Sequence, residues 1–150
     1  MKKTFGLLVS LTLISGACAA VLAYVNNITR GPIAATAEKA REAARAAVLR
    51  GEEGYAAEGR SSEGYGGDIV LMVGFKKDKK TVISYKVIQA DETPGLGMKL
   101  KAPEFAGQFS GRDGRALKVR KDGGDIEAIT SATITSRAVC KAIADAQGKL

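Results

Sequence analysis

The chain has 150 residues, of which 45% are hydrophobic and 26% are charged, so it has room for one modest globular domain and a targeting segment. It contains no histidine and no tryptophan, which disfavours hydrolytic triads, zinc hydrolases and histidine-ligated haem. The formal charge of +7 is carried by scattered residues and only 5% of the residues are aromatic, which argues against nucleic-acid binding. Redox or group-transfer chemistry would have to come from a cofactor.

The N-terminal segment 1–28 is predicted to be a membrane anchor. Residues 4–25 are uncharged and rich in Leu, Val, Ile and Ala, and a helix of that length covers about 33 Å, enough for a hydrocarbon core. Lys2 and Lys3 precede the run, which favours a cytoplasmic N-terminus and places the rest of the chain outside. A cleaved signal peptide is the alternative because residues 17–19 read Ala-Cys-Ala. We favour retention because the apolar run continues beyond that site.

Residues 29–67 are predicted to form a helical stem followed by a glycine-rich approach to the core. We expect the anchor helix to end just before Pro32, which suits the first position of a new helix. That second helix carries a stripe of mostly alanine residues and ends near Gly51. The glycine-rich segment 51–67 is interpreted as mobile.

A small α+β domain is predicted over residues 68–150, with an antiparallel sheet and flanking helices. Residues 69–75 are apolar at every position except one glycine, which is typical of a strand buried on both faces, and residues 81–90 form a second strand after a polar turn. We expect a short helix from Ala102 with Phe105 and Phe109 in the core, and another short strand near Val119.

A hydroxyl-rich stretch, 127–136, precedes a segment with helical periodicity, and the period changes near Ser136. At a helix N-terminus the free backbone N–H groups and the dipole favour an anion, so a phosphate beside Thr133, Thr135 and Ser136 is one interpretation. The other interpretation is that these hydroxyl groups cap the N-terminus of the helix. The two cysteines, Cys18 and Cys140, form no metal-binding motif and are expected to be small buried hydrophobic residues.

Residues 130–136 resemble the flavinylation motif of the FMN-binding domain family, in which acidic-x-x-Ser/Thr-Gly-Ala-Thr-x-Thr carries FMN through a phosphoester on its last threonine. The positions of that motif are taken in order by Glu127, Thr130, Ala132, Thr133 and Thr135. Two residues depart from it: Glu127 stands where Asp is usual, and Ser131 stands where Gly is usual. Residues 92–97, Glu-Thr-Pro-Gly-Leu-Gly, resemble the other signature loop of the family without departure.

The resemblance implies FMN attached covalently to Thr135 through its phosphate. The other residues that it places at the cofactor are Ser131, Ala132, Thr133, Ser136, Glu92, Thr93, Gly95 and Leu96. Lys99 is expected to be solvated rather than paired with the phosphate. No catalytic residue and no metal ligand is implied.

With one membrane span, the chain resembles the flavin subunits of Rnf-type complexes, which pass electrons from ferredoxin to NAD and move Na⁺ or H⁺. The implied partners are the other membrane and peripheral subunits and an external FMN transferase. A threonine hydroxyl needs activation to attack a phosphoanhydride, and the sequence offers no histidine and only Glu127 near Thr135. The flavin domain would lie on the periplasmic or extracellular side of the cell membrane. The alternatives are a flavin-bearing component of the Na⁺-translocating NADH:quinone reductase, a secreted flavin carrier, and a flavin-free anchor in which Ser131 prevents flavinylation of the motif.

Overall fold

The computed structural model describes residues 2–150, with side chains from Phe5 onward. Its elements in chain order are α1 (Lys2–Leu49), β1 (Gly54–Ser61), β2 (Ile69–Lys76), β3 (Val82–Ala90), α2 (Pro103–Gly107) and α3 (Thr133–Gly148). Two short 3-10 turns, Gly97–Lys101 and Arg120–Asp122, lie between them. This arrangement confirms the predicted α+β class with a long apolar N-terminal helix.

The chain divides into two compact units, Met1–Lys39 and Ala40–Leu150. The described residues of the first unit are helical, and their most apolar 18-residue window has a mean hydropathy of 2.2 with none of it buried. Within the described part of the chain, α1 is the one helix long and apolar enough to cross a membrane. The side chains of Lys2 and Lys3, on which the predicted orientation rests, lie outside the described residues.

Helix α1 continues through Pro32, where the sequence predicted a break. The reason lies in the residues just before the proline. Gly31 has no side chain to cap a new helix, and the Thr29 hydroxyl donates instead to the carbonyl of Val25 in the preceding turn at 2.8 Å. A break here would start the new helix without a side-chain N-cap.

The three strands form an antiparallel sheet in the order β1-β2-β3, with β2 in the centre. The first seven residues of β2 are all buried. Ile69, Leu71, Val73 and Phe75 pack into the main core with α3. Met72 on the opposite face packs against Ala44 and Val48 near the end of α1. The predicted strand with two apolar faces is confirmed, because each face is covered by a helix.

Strand β1 lies within the glycine-rich segment that was interpreted as mobile. That interpretation is wrong for residues 54–61. A Cβ on Gly59 would overlap the carbonyl oxygen of Ala142 and lie 2.8 Å from the Cβ of Ala146, so α3 sits directly on the strand backbone. The Arg60 N–H also donates to Asp145 of α3 at 2.8 Å. Glycine here serves close packing rather than flexibility.

The predicted core positions of Phe105 and Phe109 are confirmed, although α2 ends at Gly107, before Phe109. Phe109 packs edge-to-face against both Tyr85 and Phe105, at centroid distances of 5.4 and 5.3 Å. The Tyr85 hydroxyl donates to the carbonyl of Leu100 at 2.6 Å, which fixes the segment after residues 92–97 onto the sheet. The expected strand near Val119 is reduced to a single parallel bridge with Ile126.

The two cysteines differ in exposure. Cys140 is buried on α3, and this burial raises the pKa of its thiol to about 12, so it behaves as the expected small hydrophobic residue. Cys18 is exposed on α1, contrary to the expectation of burial.

Candidate functional site

A pocket of about 500 Å³ lies where the loop 92–97 meets the N-terminus of α3. It therefore brings together the two stretches that the sequence singled out. Its lining residues are Tyr65, Glu92, Thr93, Leu96, Gly97, Ser131, Ala132, Thr133, Ile134 and Thr135. The volume is within the usual range for a small-molecule site.

Helix α3 begins at Thr133, three residues earlier than the change of period indicated. Its N-cap residue is Ala132, which makes no side-chain capping hydrogen bond. The N–H groups of the first turn therefore have no side-chain acceptor there, and the positive end of the helix dipole faces the pocket. Such an end is suited to an anionic group.

Ser136 fastens this turn instead of lining the pocket. It is fully buried; its hydroxyl donates to the carbonyl of Ala132 at 2.9 Å and accepts from the N–H of Ile129 at 3.0 Å. Gly95 and Lys99 also lie outside the lining residues. Gly95 has a φ of +76°, so it shapes the loop through a conformation that favours glycine.

Ser131 adopts a left-handed backbone conformation, with a φ of +62°. This is the position at which the resembling motif has glycine. A left-handed conformation costs an ordinary residue roughly 1–2 kcal/mol. Ser131 therefore keeps the turn that the motif requires, but at a cost that glycine would avoid.

We expect Ser131→Gly to stabilise the domain by about 0.5–1 kcal/mol. The relief of left-handed strain outweighs the greater freedom that glycine has in the unfolded chain. Urea unfolding is the measurement, and the midpoint should rise with an unchanged slope. Ser131→Ala keeps the Cβ and should bring no gain. A lower midpoint for the glycine variant would contradict the assignment of strain.

Glu92 and Thr135 form a buried contact on the pocket wall. Their side chains come from positions 43 residues apart, and the Thr135 hydroxyl donates to Oε2 of Glu92 at 2.8 Å. Thr135 is 1% exposed and Glu92 is 6% exposed. The sequence had offered Glu127 as the carboxylate near Thr135. The structure corrects this, because Glu127 is exposed and pairs with Arg120 at 2.9 Å.

The side chain of Lys121 lies beside the first turn of α3, next to an ion pair between Arg137 and Asp122. Arg137 on the helix makes two hydrogen bonds with Asp122, at 2.7 and 2.6 Å, and this guanidinium lowers the pKa of Asp122. The pair holds the turn Arg120–Asp122 against α3. The neighbouring Lys121 then places its Nζ 3.5 Å from the hydroxyl of Thr133. Lys121 rather than Lys99 is thus the lysine beside the helix N-terminus.

Sequence reasoning missed two of the three exposed apolar side chains that line the pocket. Tyr65, Leu96 and Ile134 are all exposed although each lines the pocket. Leu96 was expected, whereas Tyr65 and Ile134 were not. Two signals were available: Tyr65 is an aromatic residue among glycines, and Ile134 occupies the variable position next to Thr135. Three exposed apolar side chains around one opening form a surface that fits a flat aromatic ring.

The profile of the FMN-binding domain matches residues 64–147, which include both loops and all of the pocket residues. The chain belongs to the FMN-binding domain family. Its apolar opening and its uncapped helix N-terminus fit, respectively, the ring and the phosphate of FMN.

Several curated proteins are similar in sequence to this chain, and they are named as G subunits of ion-translocating oxidoreductase complexes. The G subunit of the proton-translocating ferredoxin:NAD(+) oxidoreductase complex of Clostridium ljungdahlii is 44% identical over 88 residues, covering 57% of this chain and 47% of the relative. The G subunit of the ion-translocating oxidoreductase complex of Methanosarcina acetivorans is 40% identical over 90 residues, covering 60% and 47%. The chain therefore spans about half the length of the curated relatives that it matches.

A solved structure, that of the C subunit of the Na(+)-translocating NADH-quinone reductase from Parabacteroides distasonis, is also similar. Its sequence identity with this chain is 25% and the TM-score is 0.47. The matched region covers 62% of this chain and 52% of that one.

Proposed function

We propose that this FMN-binding domain carries its FMN covalently, through a phosphoester to Thr135, and serves as the electron-carrying G subunit of an Rnf-type ion-translocating ferredoxin:NAD oxidoreductase. The observation that carries this proposal is the position of Thr135. It lies in the first turn of α3, on the wall of the pocket that the loop 92–97 closes. The names of the matching relatives support the assignment to that complex.

Bound FMN would supply the reversible electron transfer. The chain's own residues would tether and orient it. The first-turn N–H groups of α3 and the nearby Lys121 would hold the phosphate, and Leu96 and Ile134 would cover the ring. Thr93, Ser131, Ala132 and Thr133 line the same pocket and would form the remaining contacts.

We further propose that α1 anchors the protein in the cell membrane with its N-terminus in the cytoplasm. The apolar and exposed surface of α1 supports a span. The FMN domain would then lie on the periplasmic or extracellular side, in contact with the other membrane and peripheral subunits of the complex. An external FMN transferase, using FAD and Mg²⁺, would attach the flavin.

The test is mass spectrometry of the full-length protein produced together with a flavin transferase. The peptide that covers residues 129–137 should gain the mass of FMN less one water, with the added mass on Thr135. Protein made without the transferase is the control and should carry the unmodified peptide. Unmodified peptide from the co-produced protein would overturn the covalent attachment. Co-purification with Rnf-type subunits from the native membrane would test the assignment to the complex.

Tyr65 provides a separate test of where the ring lies. We expect Tyr65→Ala to weaken the binding of free FMN by about two- to tenfold, because an aromatic contact is worth about 0.5–1.5 kcal/mol beyond its area. The measurement is a fluorescence titration of unmodified protein with FMN. Tyr55→Ala is the matched control, since Tyr55 is an exposed tyrosine of β1 outside the pocket lining. Equal affinities for the two variants would place the ring elsewhere.

A further inference from the structure

The carboxylate of Glu92 touches the one oxygen that the proposed attachment would modify. The Thr135 hydroxyl donates to its Oε2 at 2.8 Å, and the Gly66 N–H donates to its Oε1 at 3.4 Å. Among the residues whose side chains are described, no lysine or arginine forms an ion pair with Glu92. The buried carboxylate is therefore held by neutral donors, and a hydroxyl is one of them.

Glycines on two segments make room for this carboxylate. A Cβ on Gly97 would lie 2.5 Å from Oε2 of Glu92 and 3.0 Å from Oγ1 of Thr135. A Cβ on Gly64 would lie 2.7 Å from Oε1. Both carboxylate distances are far below van der Waals contact. The glycines at 64 and 97 thus allow the side chain of Glu92 to reach Thr135 and restrict its orientation.

From this geometry we infer that Glu92 is a catalytic residue in the transferase-dependent attachment of flavin to this protein. It orients the Thr135 hydroxyl and accepts its proton. The inference rests on the proposed attachment at Thr135. In the step, Oγ1 attacks the phosphorus on the FMN side of the FAD pyrophosphate. The new Oγ1–P bond forms as the phosphoanhydride bond breaks, AMP leaves with that bonding pair, and the hydroxyl proton passes to Oε2 of Glu92 and then to solvent.

A carboxylate is an adequate base for this reaction. Protein kinases use an aspartate to accept the proton of a substrate hydroxyl as it attacks phosphorus. Positioned general bases typically contribute a factor of about 10² to 10⁴. The transferase would supply the FAD and Mg²⁺. The acceptor domain would supply the base, in a chain that has no histidine for that role.

The experiment compares Glu92→Gln with Glu92→Asp in the full-length protein, incubated with purified flavin transferase, FAD and Mg²⁺. Initial labelling rates are read from in-gel flavin fluorescence at several concentrations of the acceptor protein. Glu92→Gln should lower kcat by about 10²-fold or more with little change in KM for the acceptor. Glu92→Asp retains a carboxylate and should recover part of the rate. Glu104→Gln, an exposed glutamate of α2, is the matched control and should label normally.

The comparison of the two variants separates chemistry from folding, because both disturb the packing around residue 92. Near-UV circular dichroism confirms that each variant is folded at the assay temperature. Equal rates for Gln and Asp, or labelling of Glu92→Gln at the wild-type rate or faster, would overturn the inference. Absence of labelling in the wild-type protein would overturn the proposed attachment itself, which is a different result.

Discussion

Thr135→Ala should abolish covalent flavin in protein produced with a flavin transferase, and this is the largest functional effect that we expect. The Thr135 hydroxyl is the proposed point of attachment, and it is held on the pocket wall by its 2.8 Å hydrogen bond to Glu92. The measurement is flavin fluorescence of the denatured protein in a gel, where only a covalent adduct survives. The loss should be complete rather than partial, because the nucleophile itself is removed.

Two variants accompany this prediction. Thr135→Ser keeps a hydroxyl and should still be labelled, whereas Thr133→Ala removes a half-exposed pocket hydroxyl beside Lys121 and should slow the labelling without abolishing it. Thr135→Ala also leaves the Glu92 carboxylate without its hydroxyl donor, at a cost of about 1–3 kcal/mol, so circular dichroism must show that the variant is folded. Fluorescence that persists in a folded Thr135→Ala protein would move the attachment to another residue.

Gly59→Ala should produce the largest loss of stability, about 3 kcal/mol. The added Cβ would overlap the carbonyl oxygen of Ala142, which is backbone and has no rotamer by which to move aside. Strand β1 and α3 would have to separate, and overpacking of this kind usually costs about 1–3 kcal/mol. A domain of this size has about 5–15 kcal/mol in total. Thermal unfolding followed by circular dichroism should show a fall in Tm of about 10 °C or more.

Gly107→Ala is the matched control for that substitution. Gly107 ends α2 and has nothing within 4 Å of the place where its Cβ would be. We expect its stability to change by less than about 1 kcal/mol. If Gly59→Ala unfolded at the same temperature as the wild-type protein, the packing of β1 on α3 would be disproved.

Strands β2 and β3 and the aromatic core were predictable because their signals are local. A run of apolar residues such as 69–75 has few stable alternatives to a strand covered on both sides, and Phe105 and Phe109 are spaced four positions apart around a short helix. The loop 92–97 and the stretch 127–136 were recognisable in the same way, since each is a short motif whose spacing survives in the sequence. Their meeting at one pocket was implied by resemblance and is seen in the fold.

Three features were not predictable because they depend on partners far away in the chain or on the absence of a local signal. A glycine at position 59 looks the same in the sequence whether it makes a loop flexible or allows a helix to pack closely on a strand. Only the close approach of Ala142 distinguishes the two roles. Helix α1 passes Pro32 because no residue before it caps a new start. The start of α3 at Thr133 escaped the period analysis because its first turn is made of β-branched and hydroxyl residues, which resemble a strand.

The sequence by itself determined the family, the α+β class, the apolar N-terminal helix and the identity of the two loops, because each of these is encoded in composition, period or a contiguous motif. Only the tertiary structure decided what stands beside Thr135. Glu92, two residues after β3, reaches Thr135 because α3 packs on the sheet and because Gly64 and Gly97 leave a gap for its side chain. A contact of that kind arises from helix-on-sheet packing and close backbone approach, and neither is written in the local order of the residues.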